Sequence, residues 1–472
     1  MARAGGLHNV GVFVLLAGAF LPIADFFIVN VALPTIASSL NASPAALELV
    51  VSVYGVAYAA ILVLGGRLGD RFGRHTLFLI GLVGFILASL ACGLAPTIEV
   101  LIAARLVQGA TAAMLVPQVL ATFQATLETE RKTRAIALYG ATSGIAAVVG
   151  QLAGGVLVSA NLFGTSWRPI FLINIPLGII VFFASRLVVP ANRSPHPTGI
   201  DFPGTVLFAT TLTALLVPLT EGHSLGWPAW TLAMLAAALV LATLTVIVER
   251  AAEARGEVPL LPPSLLKLPS MSRGLVMIML FSVGFGAFMF VFALTVQNGL
   301  GANALESGLA ILPMAVMFFI GSVASPLIIN RFGRGALVVG GIVQALGLAL
   351  LIGIITSGWP HVTLIDLAPP LVLVGAGQSM LFSGLFRAVL ADVPSHLAGG
   401  GSGVLITLQQ SGLALGVATL GTLYLALEPA SIPQAFSTAI GIQFVIVVML
   451  VLCTGLLPRF TQAAAHANPI EI

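Results

Sequence analysis

Charge is scarce in this sequence. Asp, Glu, Lys and Arg make up 7% of its 472 residues, against 58% hydrophobic residues. Soluble domains carry about 25% charged residues, so a string of such domains is excluded. Cysteine is nearly absent: Cys92 and Cys453 both fall in apolar runs and form no CxxC pair. They read as small buried side chains rather than as redox or metal groups. No GxxxxGKS/T is present, which removes the ATP-driven engine built on that loop, and HExxH and GxSxG are missing too. Gly375-Ala376-Gly377 and Gly399-Gly400-Gly401 lack the strand–turn–helix setting of a dinucleotide loop. No cofactor and no metal site are expected. The net charge of +3 comes from basic residues dispersed through short loops, which gives no reason to expect a nucleic-acid partner.

What the chain has in quantity is uncharged runs of about twenty residues, each long enough to cross a bilayer. The first, from about 10 to 32, is too long for a cleaved signal peptide and contains Asp25, so it reads as a retained span. Counting onward gives fourteen spans, grouped six, two and six. The expected fold class is all-α and integral to the membrane. Residues 1–190 form a first six-helix bundle, and 191–272 hold a Pro-rich linker, two accessory spans and a basic loop. Residues 273–460 form a second bundle, and 461–472 a short polar tail. All Lys and Arg except Arg105 and Arg168 fall on one side of this layout, which the positive-inside rule makes cytoplasmic. Both termini are expected there, and the expected location is the cell (inner) membrane. Trp167, Trp227, Trp230 and Trp359 fall at turns on the opposite face, where indoles favour the interface.

Two short loops break the apolar pattern. The sequence GGRLGDRFGRH at 65–75 gathers three Arg, one Asp and four Gly, and NRFGRG at 330–335 repeats it in shorter form. Similar turns about 260 residues apart suggest a duplicated half, a frequent feature of transporters.

Inside the spans, Asp25 is the one acid placed deep in hydrocarbon, where a carboxylate costs at least about 2.5–3.5 kcal/mol unless it faces the bundle interior. Arg105 is the one deep cation, at a similar depth of roughly 10 Å below the outer interface. A direct or water-bridged pair is expected, with Gln108 one turn along on the face of Arg105. The fifth span carries Gly140, Gly144, Gly150, Gly154 and Gly155, and small residues in a stripe allow close helix contact. Gly412 and Gly416 are the expected counterparts in the second half. Phe281, Phe285, Phe288 and Phe292 recur at helical spacing as either a packing stripe or a cavity lining. Asn30, Gln108, Gln151, Phe288, Phe292, Gln297 and Gln410 are the candidates for lining a central cavity.

These features together resemble the major facilitator superfamily. The loop at 65–75 matches that family's cytoplasmic signature between its second and third helices. ARLVQGATAA, with Arg105, Gln108 and Gly109, is similar to its fourth-helix motif, linked to proton coupling. ADFFIVNVALP, with Asp25, Asn30 and Pro34, resembles the first-helix motif of the fourteen-spanner drug:proton antiporters. SWRPIFLINIPLG and QNGLGANALESGLAILP resemble the same branch, and the likeness covers essentially the whole chain. One departure is on helix 5, where Gln151 follows Gly150 in place of the usual Pro.

The resemblance implies two six-helix bundles rocking about a central cavity, with two accessory helices outside. It implies proton-coupled efflux of amphipathic, drug-like compounds, with Asp25 carrying the proton and Arg105 tuning its affinity. An amphipathic, often cationic substrate is expected to compete for the deprotonated site. Gly66, Asp70, Arg71, Gly73, Arg74, Arg331 and Arg334 form the expected cytoplasmic gate, with Asp70 facing the opposite half when the outside is open. Gly150, Gly154 and Gly155 are the expected helix-packing positions. A facilitator or symporter of a small metabolite is the alternative. No enzymatic activity is expected, and the partners are a small molecule, protons and lipid around a monomer.

Overall fold

The computed structural model describes residues 7–193, 201–222, 225–257, 259–260, 262–393 and 398–457. Most of the Pro-rich linker and the polar tail lie outside these. Among the described residues, fourteen helices are long and apolar enough to cross a membrane. In chain order they are α1 (Asn9–Leu40), α2 (Pro44–Phe72), α3 (Arg74–Gly93), α4 (Ile98–Thr126), α5 (Thr129–Ala160) and α6 (Pro169–Val188). The accessory pair follows as α7 (Phe202–Glu221) and α8 (Ala229–Ala254). Next come α9 (Pro269–Gly299), whose last residues Thr295–Gly299 form a π turn, and α10 (Ala304–Ala310, resuming as Leu312–Phe332). They are followed by α11 (Arg334–Gly358) and α12 (Leu364–Val389). The last are α13 (Ala398–Gly416, continuing through a π turn to Thr422–Leu427) and α14 (Ile432–Cys453).

Local chemistry accounts for where these helices begin. Ser43 accepts the Ala46 N–H and Pro44 occupies the first turn of α2, a pairing that suits unsatisfied amides and a fixed φ. Asn303 with Glu306 and Thr363 with Asp366 form reciprocal capping boxes at the starts of α10 and α12. The two basic turns both pivot on glycine at positive φ, Gly73 at 103° and Gly333 at 54°. Such conformations favour glycine because it lacks a Cβ.

In the first half α4 packs against α2 and α3, and α5 against α1. The second half repeats the plan: α12 lies against α10 and α11, and α13 against α9. The halves meet through α2 with α13 and α5 with α10. The accessory helix α7 fills the outer groove between α2 and α13, where Val56, Ala59, Phe208, Leu212, Leu216, Ala414 and Ala418 form a separate apolar cluster. Its partner α8 is mostly outside this cluster and leaves Leu239 and Val240 exposed, as a lipid-facing helix requires.

Two ionisable side chains near the ends of α2 are structural. Glu48 lies within α2, is buried, and accepts a hydrogen bond from Thr422 Oγ1 of α13 at 2.6 Å. Thr422 Oγ1 also lies 3.4 Å from the Leu219 carbonyl of α7, so one hydroxyl ties both halves to the accessory pair. Arg67 is buried near the other end of α2 and donates to the Pro259 carbonyl in the loop after α8. Trp167 sits at the expected end of α6 and is wholly buried, edge-to-face against Phe171.

Candidate functional site

The single deep acid and single deep cation meet. Arg105 Nη1 of α4 donates to Asp25 Oδ2 of α1 at 2.5 Å, with both side chains fully buried. Around them the sequence supplies a set of polar partners, which leaves Arg105 Nη2 without a hydrogen bond among the described residues. Gln108 Nε2 donates to Asp25 Oδ1 at 2.9 Å and to Ser89 Oγ of α3 at 2.8 Å, while Gln108 Oε1 accepts from Arg105 Nη1 at 2.8 Å. Asn174 Nδ2 of α6 donates to Asp25 Oδ1 at 2.6 Å. Arg105 Nε donates to the Val50 carbonyl of α2 at 3.0 Å. Five helices therefore converge on one carboxylate. Removing one partner of a buried pair of this kind costs about 3–5 kcal/mol, because it leaves the other charge uncompensated.

α4 can place Arg105 this close because Gly109, one turn further, lets it reach the backbone of α2. A Cβ there would collide with the Tyr54 carbonyl. Tyr54 in turn covers the pair. Its ring lies 4.2 Å from the Arg105 guanidinium, and its hydroxyl donates to the Pro22 carbonyl of α1 at 2.8 Å.

A cavity of about 760 Å³ lies between the halves. Its walls run from Pro22, Phe26 and Tyr54 at mid-membrane to Gln124, Ile329, Arg387 and Val393 at the end bearing the basic turns. At the other end the halves are sealed. The Leu305 N–H of α10 donates to Ser159 Oγ of α5 at 3.0 Å, and a Cβ on Gly155 would come within 2.5 Å of the Ala304 carbonyl. Among the described residues the cavity is therefore open at the basic end and closed at the opposite one.

The expected site residues divide accordingly. Gln151 and Gln410 line the cavity. Gln151 lies within the unbroken helix α5, and its Nε2 is 3.5 Å from Met289 Sδ of α9 in the other half. Gln108 does not line it, being consumed by the ion-pair network. Asn30 is buried and turns back on its own helix, donating to the Phe27 carbonyl at 3.3 Å. Phe288 and Phe292 are buried and stack on each other at 5.6 Å, so that part of the stripe is packing, while Phe285 lower on α9 reaches the cavity wall. Gln297 sits in the π turn, donates to Ser307 Oγ at 3.3 Å, and faces a second, shallow concavity at the sealed end. Asp25 is not in the cavity wall; Pro22 and Tyr54, which are, lie against it. Direct competition between substrate and proton for Asp25 is thus not what this geometry offers.

The three glycines named for helix packing divide between two neighbours. A Cβ on Gly150 would come within 2.5 Å of the Ala24 carbonyl and one on Gly154 within 2.7 Å of the Ile28 carbonyl, both on α1. Gly155 faces α10 of the other half. At the basic turns, Asp70 pairs with Arg74 at 2.7 Å inside one half. Arg71 is exposed beside Phe72, Arg331 lies beside Phe332, and Arg334 donates to the Gly455 carbonyl at 3.2 Å. The steric need for glycine in the first turn falls on Gly65 and Gly69, which abut the Ala113 carbonyl and Gln118. Gly66 meets only Pro117 at 3.9 Å. The sequence reading missed Ser89, Asn174 and Tyr54. Asn174 stands in the quoted SWRPIFLINIPLG segment, and an amide within an apolar run was its available signal.

Two six-helix halves about a central cavity, with a buried ion pair in one of them, define the class as a multi-pass membrane transporter. The family model described as Major Facilitator Superfamily matches residues 15–417, and the chain belongs to that superfamily. It is 35% identical over 415 residues to the "Probable actinorhodin transporter" of Streptomyces coelicolor, covering 88% of this chain and 72% of that one. It is 32% identical to the cephamycin export protein CmcT of Amycolatopsis lactamdurans, covering 95% and 92%. A third relative is the tetracenomycin C resistance and export protein of Streptomyces glaucescens, at 31% identity over 86% and 74%. Among solved structures, an auto-inhibited POT family peptide transporter superposes with a TM-score of 0.67 over 98% and 99% of the two chains. At 17% identity that likeness speaks for the fold alone.

Proposed function

We propose that this chain exports drug-like small molecules across the cell membrane in exchange for protons, with the basic turns and both termini on the cytoplasmic side. The observation that carries this reading is the Asp25–Arg105 pair, fully buried, one side chain away from the cavity wall. A carboxylate held by Arg105, Gln108 and Asn174 and covered by Tyr54 is a store for one proton. Protonation would remove the negative charge that fixes Arg105, and Arg105 bears on Tyr54 and on the α2 backbone at Val50. A substrate against Tyr54 and Pro22 would thereby sense the proton without touching it. Coupling of this kind requires only that each ligand bind the two states differently. The export and resistance roles named for the relatives support the direction.

The test uses everted membrane vesicles carrying a respiratory pH gradient. Added substrate should dissipate the gradient through the wild-type chain, and Asp25→Asn should abolish that response while still binding substrate. Unchanged proton release by Asp25→Asn would remove the carboxylate from the mechanism. For the metabolite symporter, external substrate would leave the gradient standing.

A further inference from the structure

We infer that the central cavity selects aromatic amphiphiles that are neutral or anionic, and that it discriminates against lipophilic cations. This rests on the reading of the cavity as the substrate site and adds the substrate's charge.

The wall is aromatic at every level. Phe26 and Tyr54 lie at its top, Phe285 and Phe318 stack at 6.4 Å across its middle, and Phe382 and Phe386 pair at 4.6 Å near its mouth. Its polar contacts are neutral amides and hydroxyls, above all Gln124, Gln151, Gln409, Gln410, Ser143 and Ser383. Among the described lining residues there is no Asp or Glu, and the charged one is Arg387, in the last turn of α12 at the open end. Asp25 is engaged with Arg105 and Asp70 with Arg74, while Asp392, between the lining residues Leu390 and Val393, is exposed at the mouth and is not part of the wall.

A cation entering such a space loses its hydration, an effective penalty of several kcal/mol. Cation–π contact returns about 0.5–2 kcal/mol, so without a carboxylate the balance is unfavourable. An anion meets amide N–H donors and the Arg387 guanidinium instead, and a neutral aromatic compound needs only the rings and amides. Arg387 and Gln410 are thus the specificity-determining positions.

The experiment measures binding without any gradient. Full-length protein in lipid nanodiscs is tested by equilibrium dialysis against three aromatic probes, with empty nanodiscs subtracted. The probes are anilinonaphthalene sulfonate (anionic), phenylnaphthylamine (neutral) and ethidium (cationic). The anion and the neutral amine should bind saturably, with ethidium at least about tenfold weaker, equivalent to 1.4 kcal/mol. Arg387→Gln should weaken the anion about tenfold more than the amine, and Gln410→Glu should tighten ethidium. Wild-type ethidium binding equal to or tighter than that of the anion overturns the inference, as does saturable binding of none of the three. Equal losses for all probes in Arg387→Gln remove that residue from selectivity. The expected order of binding without gradient-driven flux in vesicles would overturn the export reading and leave the selectivity standing. Gradient-driven efflux of ethidium would do the reverse.

Discussion

The two halves of this transporter share a skeleton and differ in what they bury. In the first, α5 leans on α1 through Gly150 and Gly154, and α4 reaches α2 through Gly109. In the second, α13 leans on α9 through Gly412 and Gly416, and α12 reaches α10 through Gly375 at the Met314 carbonyl. The interiors then diverge. The first half encloses Asp25 and Arg105 with every Asp25 oxygen hydrogen-bonded. The second encloses the neutral amides Gln344, Gln378 and Gln443, all buried, whose Oε1 atoms have no hydrogen-bond partner among the described residues. Backbone approach at glycine is what the fold requires of both halves. The fully buried ion pair, by contrast, belongs to the first half alone among the described residues, and a second one would bring its own cost of about 2.5–3.5 kcal/mol per charge.

The sharpest way to break this contrast is Arg105→Met. It strands the Asp25 carboxylate, and the first half should lose about 3–5 kcal/mol, seen as a large drop in thermal midpoint of the purified protein. The shared skeleton predicts the next largest effect. Gly109→Leu and Gly375→Leu each force a side chain into a facing backbone and should cost about 1–3 kcal/mol or more, to similar extents. Gly353 has open space where a Cβ would go, so Gly353→Ala is the control for any glycine replacement. If one of the two leucine variants were tolerated while the other unfolded, the equivalence of the halves would be wrong.

Much of this was legible because charge is rare. In a chain with so few ionisable residues, a lone Asp and a lone Arg at equal depth have few partners but each other. Hydropathy and the basic loops likewise counted the fourteen spans, although the first helix runs to Leu40, well past its expected end near residue 32. Depth, however, says nothing about azimuth. Asn30, Gln108, Gln297, Phe288 and Phe292 all lie on helices that contribute to the core, yet they turn away from the cavity, because helical spacing does not tell which neighbour a face meets. Neutral polar residues such as Ser89 and Asn174 are common enough in spans to carry no signal alone. Arg67 looked like a loop residue because sequence shows the apolar run, whereas α2 continues past it to Phe72. Arg67 is satisfied by a carbonyl 192 residues away, which no local pattern reveals.

A milder probe acts on the second half. Gln378→Met replaces a buried amide with an apolar side chain of similar length. Removing an unpartnered polar group should be neutral or slightly stabilising, within about 1 kcal/mol. Gln108→Met, in the first half, deletes bonds to Asp25, Arg105 and Ser89 and should impair proton-driven export. Equal effects of the two variants on transport would mean that the second interior also takes part in coupling.

The smallest effect on stability concerns the basic turns. With the cavity open at that end, Asp70 is paired only with Arg74 of its own half at 2.7 Å. Such a partly exposed pair contributes about 0–1 kcal/mol. The second turn, Arg331 to Arg334, has no acid, so a charge latch between the halves would have its carboxylate on one side alone. Asp70→Asn should therefore change the thermal midpoint little but lower the population of the state closed at the basic end, because only that state would use Asp70 across the interface. Spin labels at the basic ends of α2 and α13, measured by double electron–electron resonance, read this directly. A longer mean distance in Asp70→Asn at unchanged stability supports the latch. A loss of stability with no change in distance would make Asp70 a helix-end residue and nothing more.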